Sequence, residues 1–162
     1  MSLIGAKKNA LKVLGKWDEA IYAYDEALRL NKSFLDAWVN KGNALEAKGN
    51  ALEAEGEHDE AISAYNKAIY AYDEALKFDP ENEEAWYGKG YSLEAKGEHD
   101  KAISAYDGAL RLEPKDKAAW YGKGIALQAQ EKYDDAIKAY DEALKIDRNN
   151  SFYWNNKGIA LQ

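Results

Sequence analysis

The stretch AWYGKGYSLEAKGEHDKAISAYDGALRLEP (Ala85–Pro114) holds two phrases that both recur along the chain. The first, A-W-x-x-K-G, stands at Ala37–Gly42, Ala85–Gly90 and Ala119–Gly124, with a variant, YWNNKG, at Tyr153–Gly158. The second appears as DEAIYAYDEAL (Asp18–Leu28), DKAISAYDGAL (Asp100–Leu110) and DDAIKAYDEAL (Asp134–Leu144). Trp86, Trp120 and Trp154 are spaced by 34 residues, a period that signals stacked units. Trp86, Gly90 and Leu93 fall at three- and four-residue steps, as do Ala102, Ile103, Tyr106, Ala109 and Leu110, so each phrase lays out one face of a helix. Gly97 marks the break between them. Asp100 sets an acid at the favourable end of the second helix's dipole, and Pro114 closes that helix. The unit is helix, tight turn, helix, short turn. Alone it cannot bury its apolar face, so it must stack on its neighbours.

This pattern resembles the tetratricopeptide repeat over essentially the whole chain. The resemblance implies an all-α, right-handed superhelical solenoid of antiparallel helix hairpins. Four repeats are expected, at about 1–34, 35–82, 83–116 and 117–150, with 151–162 a first helix without its partner. The pattern is departed from at Ile4 and Lys8, where Trp and Gly are usual, at Glu131 in place of the turn glycine, and at Lys32 and Arg148 in place of the closing proline. The plain, Lys- and Glu-rich repeats resemble archaeal ones. The opening MSL and a stop in mid-helix at Gln162 read as an excised or designed piece of a longer array.

The second repeat is long. Trp38 to Trp86 is 48 residues, which exceeds the regular 34 by two sevens. One is the doubled NALEAKG/NALEAEG (Asn43–Gly56), the other the doubled AISAYNK/AIYAYDE (Ala61–Glu74). GEHDEAISAY (Gly56–Tyr65) nearly repeats GEHDKAISAY (Gly97–Tyr106), which places the turn at Gly56. Gly49 is then carried inside a helix, at a cost of about 1 kcal/mol. Seven residues turn through about 700°, close to two full turns, so matched heptads lengthen a hairpin without rotating its faces. The expectation is a hairpin projecting about 10 Å, with no adjacent repeat of equal length to cover Leu52, Ile62 and Tyr65, so that it either packs on itself alone or offers those residues for self-association.

Composition narrows the function. No run of eighteen apolar residues suits a membrane span, and the start lacks a secretory signal. The absence of cysteine fits a reducing compartment, so a cytoplasmic location is expected. A net charge of −7 argues against nucleic acid. No constellation of residues suits catalysis, a metal or a cofactor. His58 and His99 hold equivalent turn positions, filled by Trp17 and Tyr133 elsewhere, and so read as packing residues. The expected activity is non-catalytic, that of a protein–protein interaction scaffold.

The family resemblance implies that first helices line a concave face that holds a peptide. Carried over by position, that face includes Val39, Asn40 and Asn43, then Tyr87 and Tyr91, Tyr121 and Ile125, and Asn155. Gly88 and Gly122 either leave room there for a ligand or allow close helix packing. One subclass of the family clamps the carboxylate of chaperone tails with Lys, Asn, Asn, Lys and Arg. The matching positions here are Gly5, Asn9, Asn40, Glu84 and Gly88, or Val39, Asn43, Gly88, Ala118 and Gly122 one repeat on. Both cations are missing in either frame, so an apolar or basic-apolar peptide is expected. The alternative is a structural self-association module that uses the projecting hairpin or the open ends.

Overall fold

The computed structural model describes residues 3–162, with side chains from Gly15 onward. In chain order its helices are α1 (Leu3–Leu30), α2 (Leu35–Ala54), α3 (His58–Phe78), α4 (Glu83–Ala95), α5 (His99–Leu112), α6 (Lys117–Ala129), α7 (Tyr133–Ile146) and α8 (Ser151–Ala160). They fall into two compact units, Met1–Pro80 and Glu81–Gln162.

Three hairpin turns share one backbone device. Gly56, Gly97 and Glu131 take positive φ, at 83°, 78° and 59°. Each donates its N–H three residues back, and the residue after it donates five residues back, as in Glu98 N–H to the Leu93 carbonyl. This closes the last orphan carbonyls of the preceding helix. Glycine enters the left-handed region freely, whereas Glu131 pays a steric cost there. At the other end, Asn82, Asp116 and Asn150 cap α4, α6 and α8 by accepting from backbone N–H groups of the first turn.

Each hairpin is then locked by a tyrosine seated on a glycine. A methyl group at Gly124 would lie 2.4 Å from the Tyr140 ring, and one at Gly90 would lie 2.8 Å from Tyr106. Both rings are buried completely or nearly so. Only glycine lets the ring press on the helix backbone at that distance.

In the first unit α2 packs between α1 and α3. α2 has 20 residues and α3 has 21, against 13 and 14 in each hairpin of the second unit. α2 runs through Gly49 and the turn falls at Gly56. The long hairpin holds two seats in tandem, Gly42 with Tyr72 and Gly49 with Tyr65, with methyl-to-ring distances of 2.5 and 2.6 Å. Gly49 is therefore required by close packing and is not merely tolerated.

Two features of this unit bear on the sequence expectations. α1 runs unbroken through Gly15, where the repeat pattern calls for a turn. Its first half carries Lys8 at the seat position, which offers Tyr24 no glycine to fold back on. The projecting hairpin also covers itself. Leu52 and Tyr65, candidates for self-association, are buried in one cluster with Ala61 and Ala64, as the self-packing alternative has it, and of the three only Ile62 is exposed. The physical reason is the second seat, which draws Tyr65 onto Gly49 and closes the two helices over Leu52.

In the second unit α4–α5 and α6–α7 form hairpins, α5 packs on α6, and α7 packs on α8. Tyr106 also presses on the next first helix, where a methyl at Gly122 would lie 2.5 Å from its ring. Gly122 thus serves close helix packing. Lys123 pairs with Asp107 and Lys157 with Asp141 across successive hairpins, and Lys41 pairs with Asp25 in the first unit. The same lysines lie over the rings of Trp120, Trp154 and Trp38, three residues earlier on their own helices. The Nε1–H groups of Trp38, Trp120 and Trp154 donate to carbonyls six residues upstream, at 2.9–3.0 Å, and pin each first helix to the loop before it.

Candidate interaction face

In the second unit the first helices α4, α6 and α8 touch side by side, while α5 and α7 lie behind them. The face they form is aromatic. Tyr87, Tyr91, Tyr121 and Ile125 are partly buried, and Asn155 is exposed. Phe152 and Ile159 extend the surface on α8 and are exposed as well.

Packing behind the face holds these rings in place. The Tyr87 ring centroid is 5.9 Å from that of Tyr106. Tyr121 sits 5.9 Å from Tyr140 and 4.8 Å from Tyr153, and its hydroxyl accepts from Asn156 Nδ2 at 2.9 Å. Tilted rings at such separations add to the area they bury.

The floor of the face is polar at a position eight residues after each Trp. Gln128 accepts from the Tyr140 hydroxyl at 2.8 Å. Glu94 occupies the same place on α4, where burial raises its carboxyl above the usual range and the nearby His99 opposes that rise. The charge of Glu94 in turn contributes to raising the Tyr121 and Tyr140 hydroxyls, after burial as the larger cause for each. The recurrence of Glu46, Glu94, Gln128 and Gln162 at this spacing is the sequence signal for the polar floor.

In the first unit the expected positions part company. Val39 is buried, so its side chain belongs to the packing. Asn43 accepts from the Tyr72 hydroxyl at 2.8 Å, and the same hydroxyl donates to Glu46 at 3.1 Å. Burial raises the Glu46 carboxyl to about 7 against the lowering effect of that bond. Asn40 is exposed. The two histidines also differ. His99 is partly buried, as expected, whereas His58 is exposed, with Nδ1 2.8 Å from Glu53 Oε1.

Among the described residues no group of three or more His, Cys, Asp or Glu could hold a metal ion, and no helix is long and apolar enough to cross a membrane.

Stacked helical hairpins with a glycine-seated tyrosine in each define a helical-repeat protein. Tetratricopeptide-repeat profiles match residues 7–78, 56–116 and 118–150, and the chain belongs to that family. No curated protein sequence matches. Among solved structures, the chain is similar to the crystal structure of MamA at 24% identity, covering 99% of this chain and 83% of that one, with a TM-score of 0.72. It is similar to the first TPR of Spaghetti (RPAP3) bound to the HSP90 peptide SRMEEVD at 24% identity, covering 75% and 91%, with a TM-score of 0.62. The Sgt2 TPR domain from Aspergillus fumigatus is 26% identical, with 75% and 77% covered and a TM-score of 0.60. The likeness is one of fold.

Proposed function

We propose that the chain is a non-catalytic scaffold that holds an apolar or basic-apolar peptide segment on the first-helix face of its second unit. The observation that carries this reading is the row Tyr87, Tyr91, Tyr121 and Ile125 on the adjacent first helices α4 and α6. Tyrosine buries large area at low entropic cost and keeps a polar tip, which suits recognition. Asn155 borders this row on α8. Asn40 and Asn43 are secondary positions in this reading, and Val39 supports the fold from behind.

The test is capture from a library of short peptides. Tyr87→Ala together with Tyr91→Ala should weaken captured peptides at least tenfold, with unchanged helical circular dichroism. Glu94→Gln should weaken basic peptides selectively. Unchanged capture by the double variant would remove the assignment.

A second reading, self-association, is favoured by exposed aromatic side chains at both ends, Tyr22 on α1 and Phe152 and Trp154 on α8. The long hairpin contributes less to it, since Ile62 alone among Leu52, Ile62 and Tyr65 is exposed. We read that hairpin as a regular repeat lengthened by two heptads, supported by its tandem seats, and the repeat limits as 35–82, 83–116 and 117–150 after a first repeat at 1–34.

A further inference from the structure

The lengthened hairpin carries a second copy of a groove that a regular repeat also has. In the second unit that groove runs between α5 and α7 with α6 as its floor, and Trp120, Lys123 and Leu127 line it. In the first unit a groove of about 480 Å³ runs between α1 and α3, floored by Leu45, Lys48 and Leu52 of α2. Counted back from the turn residues Glu131 and Gly56, the two trios stand at the same positions. Lys48 closes on Asp18 of α1 as Lys123 closes on Asp107 of α5. The added heptad thus reproduces the groove with one change in its floor, Leu45 where the other has Trp120. Leu45 is buried and smaller than an indole, so the groove stays open above it.

Interactions that the regular groove makes within itself are left open in this copy. The first is a ring. At Trp38, Trp86, Trp120 and Trp154 the lysine three residues on lies over the indole, 5.3–5.5 Å from its centroid. Lys48 keeps the ion pair of its counterparts, but the residue three before it is Leu45. Among the described residues its ammonium lies over no ring.

The rim charges of the second helix are open as well. In α7 Asp135 pairs with Lys138, and Glu142 pairs with Lys145. The matching residues of α3 are Glu60 with Ser63 and Lys67 with Tyr70, so each charge lacks the partner three residues on. Glu60 and Lys67 are exposed on the groove and make no ion pair among the described residues.

We propose that this groove docks an aromatic side chain of a partner protein, carried on an extended segment with a basic residue on one side of the ring and an acidic residue on the other. The ring takes the place beneath Lys48 that tryptophan holds in the other repeats. The basic residue meets Glu60 and the acidic residue meets Lys67. These rim charges are two helical turns apart, about 10 Å, which is the span of about three extended residues. Lys-Trp-Ala-Glu is the simplest segment with that spacing. The ring supplies the contact area, and the opposite charges fix the register. The groove shares no residue with the tyrosine face of α4 and α6, so this inference does not rest on the peptide reading of that face.

The experiment is a titration of the isotope-labelled 162-residue chain with acetyl-Lys-Trp-Ala-Glu-amide, followed by amide chemical shifts. Shifts should saturate at Leu52, Ser63 and Ala64 with a Kd of about 1 mM or tighter. The same peptide with Ala for Trp should leave these amides unmoved. Leu45→Trp supplies the ring from the protein's own helix and should weaken binding about tenfold. Lys67→Glu should weaken Lys-Trp-Ala-Glu about threefold and strengthen Lys-Trp-Ala-Lys by a similar factor. If Leu45→Trp loses its helical circular dichroism, the exposed Lys67→Glu carries the test alone. Shifts confined to α4 and α6 would overturn the proposal while supporting the tyrosine face. So would the absence of saturable shifts, equal binding of the Trp-free peptide, or an unchanged peptide preference in Lys67→Glu.

Discussion

At the scale of single residues, glycines that look alike in sequence do opposite things. Gly49 and Gly158 both lie inside helices. A methyl at Gly49 would strike the Tyr65 ring at 2.6 Å, whereas one at Gly158 would strike nothing. Gly49→Ala should therefore cost about 1–2 kcal/mol, the overpacking penalty less the gain in helix propensity. Gly158→Ala should stabilise the isolated molecule by up to about 1 kcal/mol. Urea denaturation of both variants checks the pair, and equal effects would remove the seat argument. Glu131 holds φ 59° where Gly56 and Gly97 serve the other turns, so Glu131→Gly should gain about 1 kcal/mol in the same assay.

Glu46 adds a pH dependence. Burial raises its folded-state carboxyl to about 7, above the ordinary 4.5. Between these values the folded state binds more protons than the unfolded one, so stability falls as pH rises through this window. The loss is about 3 kcal/mol at most by pH 8. Glu46→Gln should keep the Tyr72 hydroxyl bond, as Gln128 keeps that of Tyr140. Its melting temperature should exceed the parent's at pH 8, and the difference should vanish near pH 4. A difference independent of pH would show that Glu46 is not the titrating group.

At the scale of elements, the long hairpin is two seats deep, and each inserted heptad supplies one half of the extra seat. Gly49 comes with the duplication in α2 and Tyr65 with that in α3. Removing both Asn50–Gly56 and Ala61–Lys67 deletes a matched pair. Gly49 then becomes the turn residue and Gly42 keeps Tyr72, so a regular hairpin should form. Removing either segment alone leaves one seat half unmatched and one helix overhanging by about 10 Å, with a loss of several kcal/mol of burial at most. Thermal melts of the three deletions should rank the double deletion well above either single one. If all three melt alike, matched lengthening is not what holds the hairpin together.

At the scale of the whole molecule, the charge pattern bears on the choice of partner. The chain carries a net charge of −7. In both frames the positions that would clamp a terminal carboxylate hold no Lys or Arg. A peptide ending in Glu-Glu-Val-Asp should show no saturable binding by isothermal titration, although a structure of similar fold holds SRMEEVD. Tight binding would mean that the face is read in the wrong register. A basic-apolar peptide should bind more weakly as salt rises, because Glu94 and the acidic surface attract it electrostatically.

The sequence by itself determined the repeat, its helix faces and its turn at Gly56. All three follow from local periodicity, from glycine's access to positive φ and from near-identity between copies of one phrase. It also exposed the polar position eight residues after each tryptophan, although only the hydroxyl bonds of Tyr72 and Tyr140 give that spacing a meaning. Tertiary structure alone decided which side chains are available. Leu52 and Tyr65 look uncovered on a lengthened hairpin, and they are buried because Gly49 admits the Tyr65 ring. Val39 has groove spacing and yet faces the core. α1 carries a glycine where its repeat should turn and stays straight, because a turn forms only when the two helices it joins can close on each other. That closure depends on contacts between residues far apart in the chain, and no local pattern records it.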